Sequence, residues 1–342
     1  MRRKIYQELL QWKQRSGESA LLVQGARRVG KSYIVEAFAK AEYKSYILID
    51  FNLVDQPVKE MFEHDLVDLK TFFMKLTTYY GVKLYERESL IIFDEVQLFP
   101  RARSAIKYLV ADGRYDYIET GSLISIRENV KDILIPSEED HVDMYPLDFE
   151  EFLWANGNDT MMDFIRDCYR KKAPLGQALH RKAMDLFRQY LIVGGMPQAV
   201  NAFVKHNDFD EVDRVKRRIL NLYRDDIRKH AKGYEMKVEA IYDEIPSQMK
   251  NQNQHFKLSS LKQGARFDEY KDAMFWLSDA MIVNHCYNAT EPTFGLNLNR
   301  DRTLLKCYMG DTGLLISHAF DENGIVTGEV YKKLLLDKLE VN

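Results

Sequence analysis

Hydrophobic and polar positions alternate along the first half of the chain in two rhythms. Residues 3–15 place Ile5, Leu9 and Trp12 at i, i+4 and i+7, one apolar stripe on a helix. Short apolar runs follow. ALLVQG (20–25), SYILIDF (45–51), SLIIFDE (89–95) and YDYIETGS (115–122) predict strands, with HVDMYPL (141–147) a weaker fifth. The first three are nearly continuous apolar runs, the pattern of strands buried on both faces of a parallel sheet. Helical periodicity fills the gaps at 32–42, 56–80 and 99–112. Strand–helix–strand alternation predicts an α/β layer with right-handed crossovers.

The rhythm changes after Asp148, and a domain boundary is expected near 150–157. Asp148 and Glu151 in DFEEF have the spacing of a capping box, with Asp in place of Ser or Thr. Helices are then predicted over 148–156, 158–171, 175–192, 197–205, 208–232 and 235–250. In the fifth of these, Val212, Val215, Ile219, Tyr223 and Ile227 form an apolar stripe, and Arg214, Lys216, Arg217 and Arg218 form the other face. The paired glycines of YLIVGGMP (190–197) end one helix, and Pro197 starts the next. Two further strands are predicted in MIVNHCYN (281–288) and LLKCYMG (304–310).

Composition narrows the classes. A chain of 342 residues exceeds what one hydrophobic core usually organises, so two packed domains are expected. A net charge of −3 excludes a chain that is basic throughout and coats nucleic acid, but leaves room for a local basic face such as 214–218. An ordinary solvated helix face is the simpler reading of that cluster. No window approaches 18 continuous apolar residues, so no membrane-spanning helix is expected. The start, MRRKIYQELLQWKQR, lacks the apolar core of a signal peptide. Cys168, Cys286 and Cys307 are far apart and never C-x-x-C, and the eight histidines lack metal-ligand spacing. A reducing cytoplasmic setting is the default expectation.

Candidate chemistry concentrates in GARRVGKS, residues 25–32, which fits G-x-x-x-x-G-K-[ST] between a predicted strand and helix. Gly25 and Gly30 allow a tight turn whose N–H groups point inward as an anion nest. Gly25, Ala26, Arg27, Arg28, Val29, Gly30, Lys31, Ser32 and Tyr33 are the expected nucleotide-binding stretch. Lys31 reaches the β- and γ-phosphates, and the Ser32 hydroxyl ligates Mg²⁺. The run LIIFDE (90–95) then delivers Asp94 to the metal and Glu95 as general base for the attacking water. Thr120 and Ser122, in ETGS at the end of the next strand, are candidates to sense the γ-phosphate or the lytic water. ATP or ADP with Mg²⁺ is the expected ligand set.

GARRVGKS, LIIFDEVQ, TGSL, YPLDFEEFL, YLIVGGMP and KCYMGDTGLL, in this order, resemble a family of archaeal and bacterial AAA+ ATPases. In these an AAA domain precedes a C-terminal region of unassigned function. The resemblance implies a P-loop AAA+ parallel sheet of order 5-1-4-3-2, an α-helical region and a winged-helix element. On this chain it implies an ATPase domain over 1–155, a helical region over 156–232 and a winged-helix-like domain over 233–320. The last would comprise 235–250, SSLKQG (259–264), FDEYKDAMFWLSDA (267–280) and the two strands. Relatives often continue into a nuclease-like domain. The helical pattern 321–342, EVYKKLLLDKLEVN at its end, is expected to stop short of one.

Many relatives place a Gly-Arg pair before the PLxFEEFL motif, whereas this chain reads IPSEEDHVDMYPLDFEEFL there, without an arginine. Arg101, Arg103, Arg114 and Arg127 are the nearby substitutes for an arginine finger. Two functions follow. One is an Mg²⁺-dependent ATPase whose hydrolysis moves the helical domain. The other is a nucleotide-gated signalling or interaction module with little turnover. Glu95 tilts the expectation to the first. Asp268, Glu269, Asp272 and Asp279 make the expected recognition helix a poor face for DNA, so an unknown protein partner is favoured over nucleic acid.

Overall fold

The computed structural model describes residues 1–15, 17–121, 138–250, 255–291, 295–296 and 298–320. The chain divides into two compact units, Arg3–Tyr145 and a second made of Met1–Arg2 with Pro146 onward.

The first unit begins with α1 (Ile5–Gln14), β1 (Ala20–Gln24), α2 (Lys31–Glu42) and β2 (Ser45–Asp50). It continues with α3 (Gln56–Glu60), α4 (Leu69–Tyr80), β3 (Ser89–Asp94), α5 (Pro100–Asp112), β4 (Asp116–Gly121) and β5 (Glu139–Asp143). The five strands are all parallel, in the order β2-β3-β4-β1-β5, the order that the family resemblance implied. β3 and β4 are buried at every position. β2 is not buried on both faces as its apolar run suggested. It is an edge strand, with four of its six residues only partly covered. An aromatic cluster of Phe51, Phe62, Phe72, Phe93 and Phe99 fills one side of the sheet. The weak fifth strand forms two residues earlier than its pattern indicated and ends at Asp143.

The helix expected over 56–80 is interrupted. α3 runs into one π-helical turn at Met61–Asp65, and α4 starts afresh after Asp68. The Asp68 carboxylate causes the restart: it accepts the N–H groups of Lys70 at 3.1 Å and Thr71 at 3.3 Å, an N-cap.

The second unit is mostly helical: α6 (Phe149–Ala155), α7 (Met161–Lys171), α8 (Gln177–Val193), α9 (Pro197–His206), α10 (Phe209–His230) and α11 (Glu235–Lys250). The capping box forms: Glu151 N–H donates to Asp148 at 2.9 Å and Asp148 N–H to Glu151 at 3.2 Å. After α11 come a short 3-10 turn (Leu258–Ser260), α12 (Phe267–Asp279) and the antiparallel pair β6 (Val283–Ala289) and β7 (Arg300–Met309). Phe256 N–H adds a bond to the Leu305 carbonyl at 2.8 Å, and α13 (Thr312–Ala319) follows.

The basic face assigned to 214–218 does not exist as such. Lys216 is fully buried with Asp213, and Arg217 is half-buried on the Asp213 carboxylate at 2.7 Å. Only Arg214 and Arg218 of that set are exposed. α10 is covered on more than one side, by α9, α11 and α13, so charged residues as well as the apolar stripe lie inside.

Candidate nucleotide site

The residues singled out in the first unit gather at the carboxyl ends of β1, β3 and β4, where open parallel sheets bind ligands. β1 ends at Gln24 and the chain turns through 25–30 into α2. A Cβ on Gly25 would lie 2.3 Å from the Met144 carbonyl oxygen, so only glycine lets the loop run against that segment. Gly30 has φ +97° and Arg28 φ +71°, left-handed turns that curl successive N–H groups to one side. Val29, between them, is fully buried and pins the loop to the core. Ala26 is also buried, while Arg27, Arg28 and Tyr33 are exposed.

Lys31 sits inside this curl. Its Nζ donates to the carbonyls of Gly25 at 2.9 Å and Ala26 at 3.1 Å. The Ser32 hydroxyl donates to Asp94 Oδ1 at 2.7 Å, and the buried Thr120 hydroxyl donates to the same oxygen. Three hard oxygens from three elements therefore meet, the donor type that Mg²⁺ takes together with substrate phosphates. Among the described residues no cluster of three or more His, Cys, Asp or Glu side chains could hold a metal by itself. An ion here would rest on Asp94, Ser32 and the phosphates.

Glu95 follows Asp94 in the left-handed conformation, φ +53°, which turns its side chain away from the buried course of β3. Its N–H donates to Thr120 Oγ1 at 3.4 Å, and its carboxylate accepts from Gln97 Nε2 at 2.5 Å. Ser122 lies outside the described residues. Sequence reasoning missed two residues that hold parts of the site in place without facing the phosphates. Gln97 is two residues from the carboxylate that it holds. Arg3 is buried, and its guanidinium donates to the Val29 carbonyl at 3.0 Å and the Tyr145 carbonyl at 2.6 Å. Residues 17–153, which carry all of this geometry except Arg3, match the family model of an AAA domain. The first unit has the P-loop AAA+ fold. Residues 184–323 match a model described as a domain of unknown function (DUF8612).

Among solved structures, the chain is similar to the Walker-type ATPase of Pyrococcus abyssi at 13% identity and a TM-score of 0.51, covering 93% of this chain and 95% of that one. It also matches the Thermotoga maritima RuvB Holliday junction branch migration motor at 12% identity, with 83% and 89% covered and a TM-score of 0.35. AMPPCP-bound DnaA from Aquifex aeolicus matches at 13% identity, with 81% and 80% covered and a TM-score of 0.36. No curated protein matches the chain. The AAA+ fold is that of nucleotide-binding ATPases, and no helix among the described residues is long and apolar enough to cross a membrane.

The arginines of the AAA+ domain separate by their surroundings. Arg103 is buried, pairing with Glu119 at 2.6 Å and with both oxygens of Glu139 at 2.9 and 2.8 Å. Burial and the neighbouring Glu139 push the Glu119 carboxyl well above its ordinary value, against the pull of Arg103. Arg114 makes a two-point pair with Asp112 at 2.7 and 2.8 Å. Arg101 is exposed, its Nε 3.3 Å from the Phe62 carbonyl, and Arg127 lies outside the described residues.

The motifs beyond the AAA+ domain meet in one buried joint of the second unit. Asp311 accepts from Gly195 N–H at 2.6 Å and from Leu314 N–H at 2.8 Å, capping α13 while holding the glycine turn. Leu147 N–H donates to the Gly195 carbonyl at 2.7 Å, and Tyr190 hydroxyl to the Leu147 carbonyl at 3.0 Å. A Cβ would lie 2.3 Å from Asp311 at Gly194, 2.0 Å from the Leu147 carbonyl at Gly195 and 2.3 Å from the Val193 carbonyl at Gly313. Lys216 Nζ donates to the Ile192 carbonyl at 2.8 Å, and burial lowers its pKa to about 8 despite Asp213 and Asp311. Burial also raises the Asp311 carboxyl, against its backbone donors and Lys216. These glycines and the aspartate build a joint; none of them lines the nucleotide loop.

Proposed function

We propose that this chain is an Mg²⁺-dependent ATPase whose nucleotide state moves the helical region beyond the AAA+ domain. The observation that carries the reading is the convergence of Ser32 and Thr120 on one oxygen of Asp94, beside a Lys31 ammonium already seated in its loop. Mg²⁺ bound at Ser32 and Asp94 would neutralise charge on the phosphates and fix their orientation. The loop N–H groups from Gly25 to Ser32 and the start of α2 bind the phosphate oxygens. Lys31 exchanges its two carbonyl partners for phosphate. Glu95 takes the proton of the attacking water as its oxygen bonds to the γ-phosphorus, and ADP leaves. Thr120 holds Asp94 and the Glu95 backbone in register, and Ser122 is proposed as a second hydroxyl facing the γ-phosphate.

Gln97 favours a second reading, a nucleotide-gated module with little turnover. An amide already engages one oxygen of the Glu95 carboxylate at 2.5 Å, which restrains the group that would have to meet the attacking water. One pair of variants decides. Lys31→Ala should abolish ATP binding by calorimetry. Glu95→Gln should retain binding and lose turnover by about 10² or more, the worth of a general base. Unchanged turnover in Glu95→Gln would remove Glu95 from the mechanism, and unchanged affinity in Lys31→Ala would remove the site.

The domain that follows is proposed to be winged-helix-like, supported by its order of α11, 3-10 turn, α12 and hairpin, with Phe256 pairing onto β7. The exposed Asp268, Glu269 and Asp272 of α12 oppose a phosphate backbone, which supports a protein partner. Free thiols at Cys168, Cys286 and Cys307 support a reducing, cytoplasmic setting.

A further inference from the structure

We infer that Arg3 is a positioning residue that ties the phosphate loop to the point where the chain leaves the AAA+ domain. This rests on the nucleotide-site reading above and adds the route by which that site is felt elsewhere.

The guanidinium joins two main-chain carbonyls. Arg3 Nη1 holds the carbonyl of Val29, the residue between the left-handed Arg28 and Gly30. Its Nη2 holds the carbonyl of Tyr145, the last residue of the unit. The planar fork fixes both bonds at once, so the two carbonyls cannot move independently while both remain made. Arg3 itself is the first residue of the unit, because Met1 and Arg2 belong with Pro146 onward. The chain thus crosses between units at 2–3 and at 145–146, and one side chain touches the loop and both crossings.

The backbone supports the same link. Met144 N–H donates to the Gln24 carbonyl at 2.7 Å, and the close approach of Gly25 to the Met144 carbonyl presses the loop's first residue on the same segment. Arg3 is also firmly based. It lies two residues before α1, which buries Ile5, Leu9 and Trp12, stacks Tyr6 edge-on against Phe38 of α2 and bonds Tyr6 to Glu42 at 2.7 Å. Phosphate binding must draw the N–H groups around Val29 toward the anion. The Val29 carbonyl shifts with them, and the guanidinium passes that shift to Tyr145. A side chain that only filled space would not link these carbonyls.

The test uses the full chain and hydrogen exchange with and without Mg²⁺ and a non-hydrolysable ATP analogue. In the unmodified protein, nucleotide should change exchange in segments 3–7 and 146–153 together with the loop. Arg3→Lys keeps the charge but loses the fork. It should retain nucleotide binding while the response at 146–153 falls about tenfold or more, the scale of one charged hydrogen bond. Arg3→Gln should behave alike, and thermal melts report whether each variant is folded. An undiminished response at 146–153 in a folded Arg3→Lys protein overturns the inference. So does an unmodified protein that binds nucleotide with no change at 3–7 and 146–153, a result that needs no variant. If the unmodified protein binds no nucleotide, the site reading fails first and takes this inference with it.

Discussion

Replacing Lys216 by methionine should leave the protein folded and change how its stability depends on pH. The ammonium is fully buried on the Ile192 carbonyl, and its pKa falls from 10.5 to about 8. A folded pKa below the unfolded one means that the unfolded chain holds more protons between them, so stability rises with pH across that window. Below pH 8 both states are protonated, and the folded protein bears the whole cost of burying the charge, about 3 kcal/mol at 1.36 kcal/mol per pKa unit. That cost is relieved as pH climbs from 8 toward 10.5. Methionine removes it at every pH, but leaves the Ile192 carbonyl without this donor and Asp311 without this cation, losses of about 1–3 kcal/mol. The net change at pH 7 is therefore small. The difference in slope is not: from pH 7.5 to 9.5 the unmodified protein should gain about 2 kcal/mol relative to Lys216→Met. Urea unfolding of both proteins across this range, followed by the fluorescence of Trp12, Trp154 and Trp276, measures it. Parallel pH profiles would mean that Lys216 does not titrate as a buried amine.

Gly195→Ala should lower the melting temperature of the second unit, by about 2–4 kcal/mol of stability, because its Cβ would lie 2.0 Å from the Leu147 carbonyl in a packed joint. Calorimetry of the full chain reads it, and an unchanged melt would mean that the joint opens freely. Arg103→Met leaves Glu119 and Glu139 buried together without their cation, and should cost about 3–5 kcal/mol in denaturant unfolding. If Arg101 acts as a finger on a neighbouring copy, specific ATPase activity should rise with protein concentration and Arg101→Ala should flatten that rise. Activity independent of concentration in both proteins excludes the role.

The nucleotide loop was legible because its demands are local. Gly25, Gly30, Lys31 and Ser32 must follow one another, and the apolar runs that flank them advertise strand and helix. The sheet order came from the resemblance, since apolar runs say nothing about neighbours. The same silence concealed that β2 is an edge. Asp68 was overlooked inside an apparently continuous helical pattern, although Asp68 and Thr71 carry the spacing of a cap. Lys216 belongs to the polar face by periodicity, which sends charges outward; its bond to the Ile192 carbonyl and the neighbouring Asp213, itself held by Ser317 and Arg217, keep it in. Arg3 had no signal at all. Its partners are main-chain carbonyls 26 and 142 residues away, invisible to any motif.

The buried Arg103 has a consequence for alignment. β1 lies between β4 and β5, with Leu22 opposite Glu119 and Ala20 opposite Glu139. Apolar runs such as Leu21–Val23 and Leu90–Phe93 have little to distinguish one offset from the next in a parallel sheet. Arg103 reaches across β1 and grips both carboxylates, so the neighbours of β1 cannot slip by a two-residue step without parting a charged pair in a dry interior. The strand that carries the phosphate loop is thereby indexed against those beside it, like a rule held at two marks. β4 in turn is paired to β3, with Ile92 opposite Ile118 and Phe93 opposite Glu119. The height at which Ser32 meets Asp94 is thus set by a charge placed one layer below.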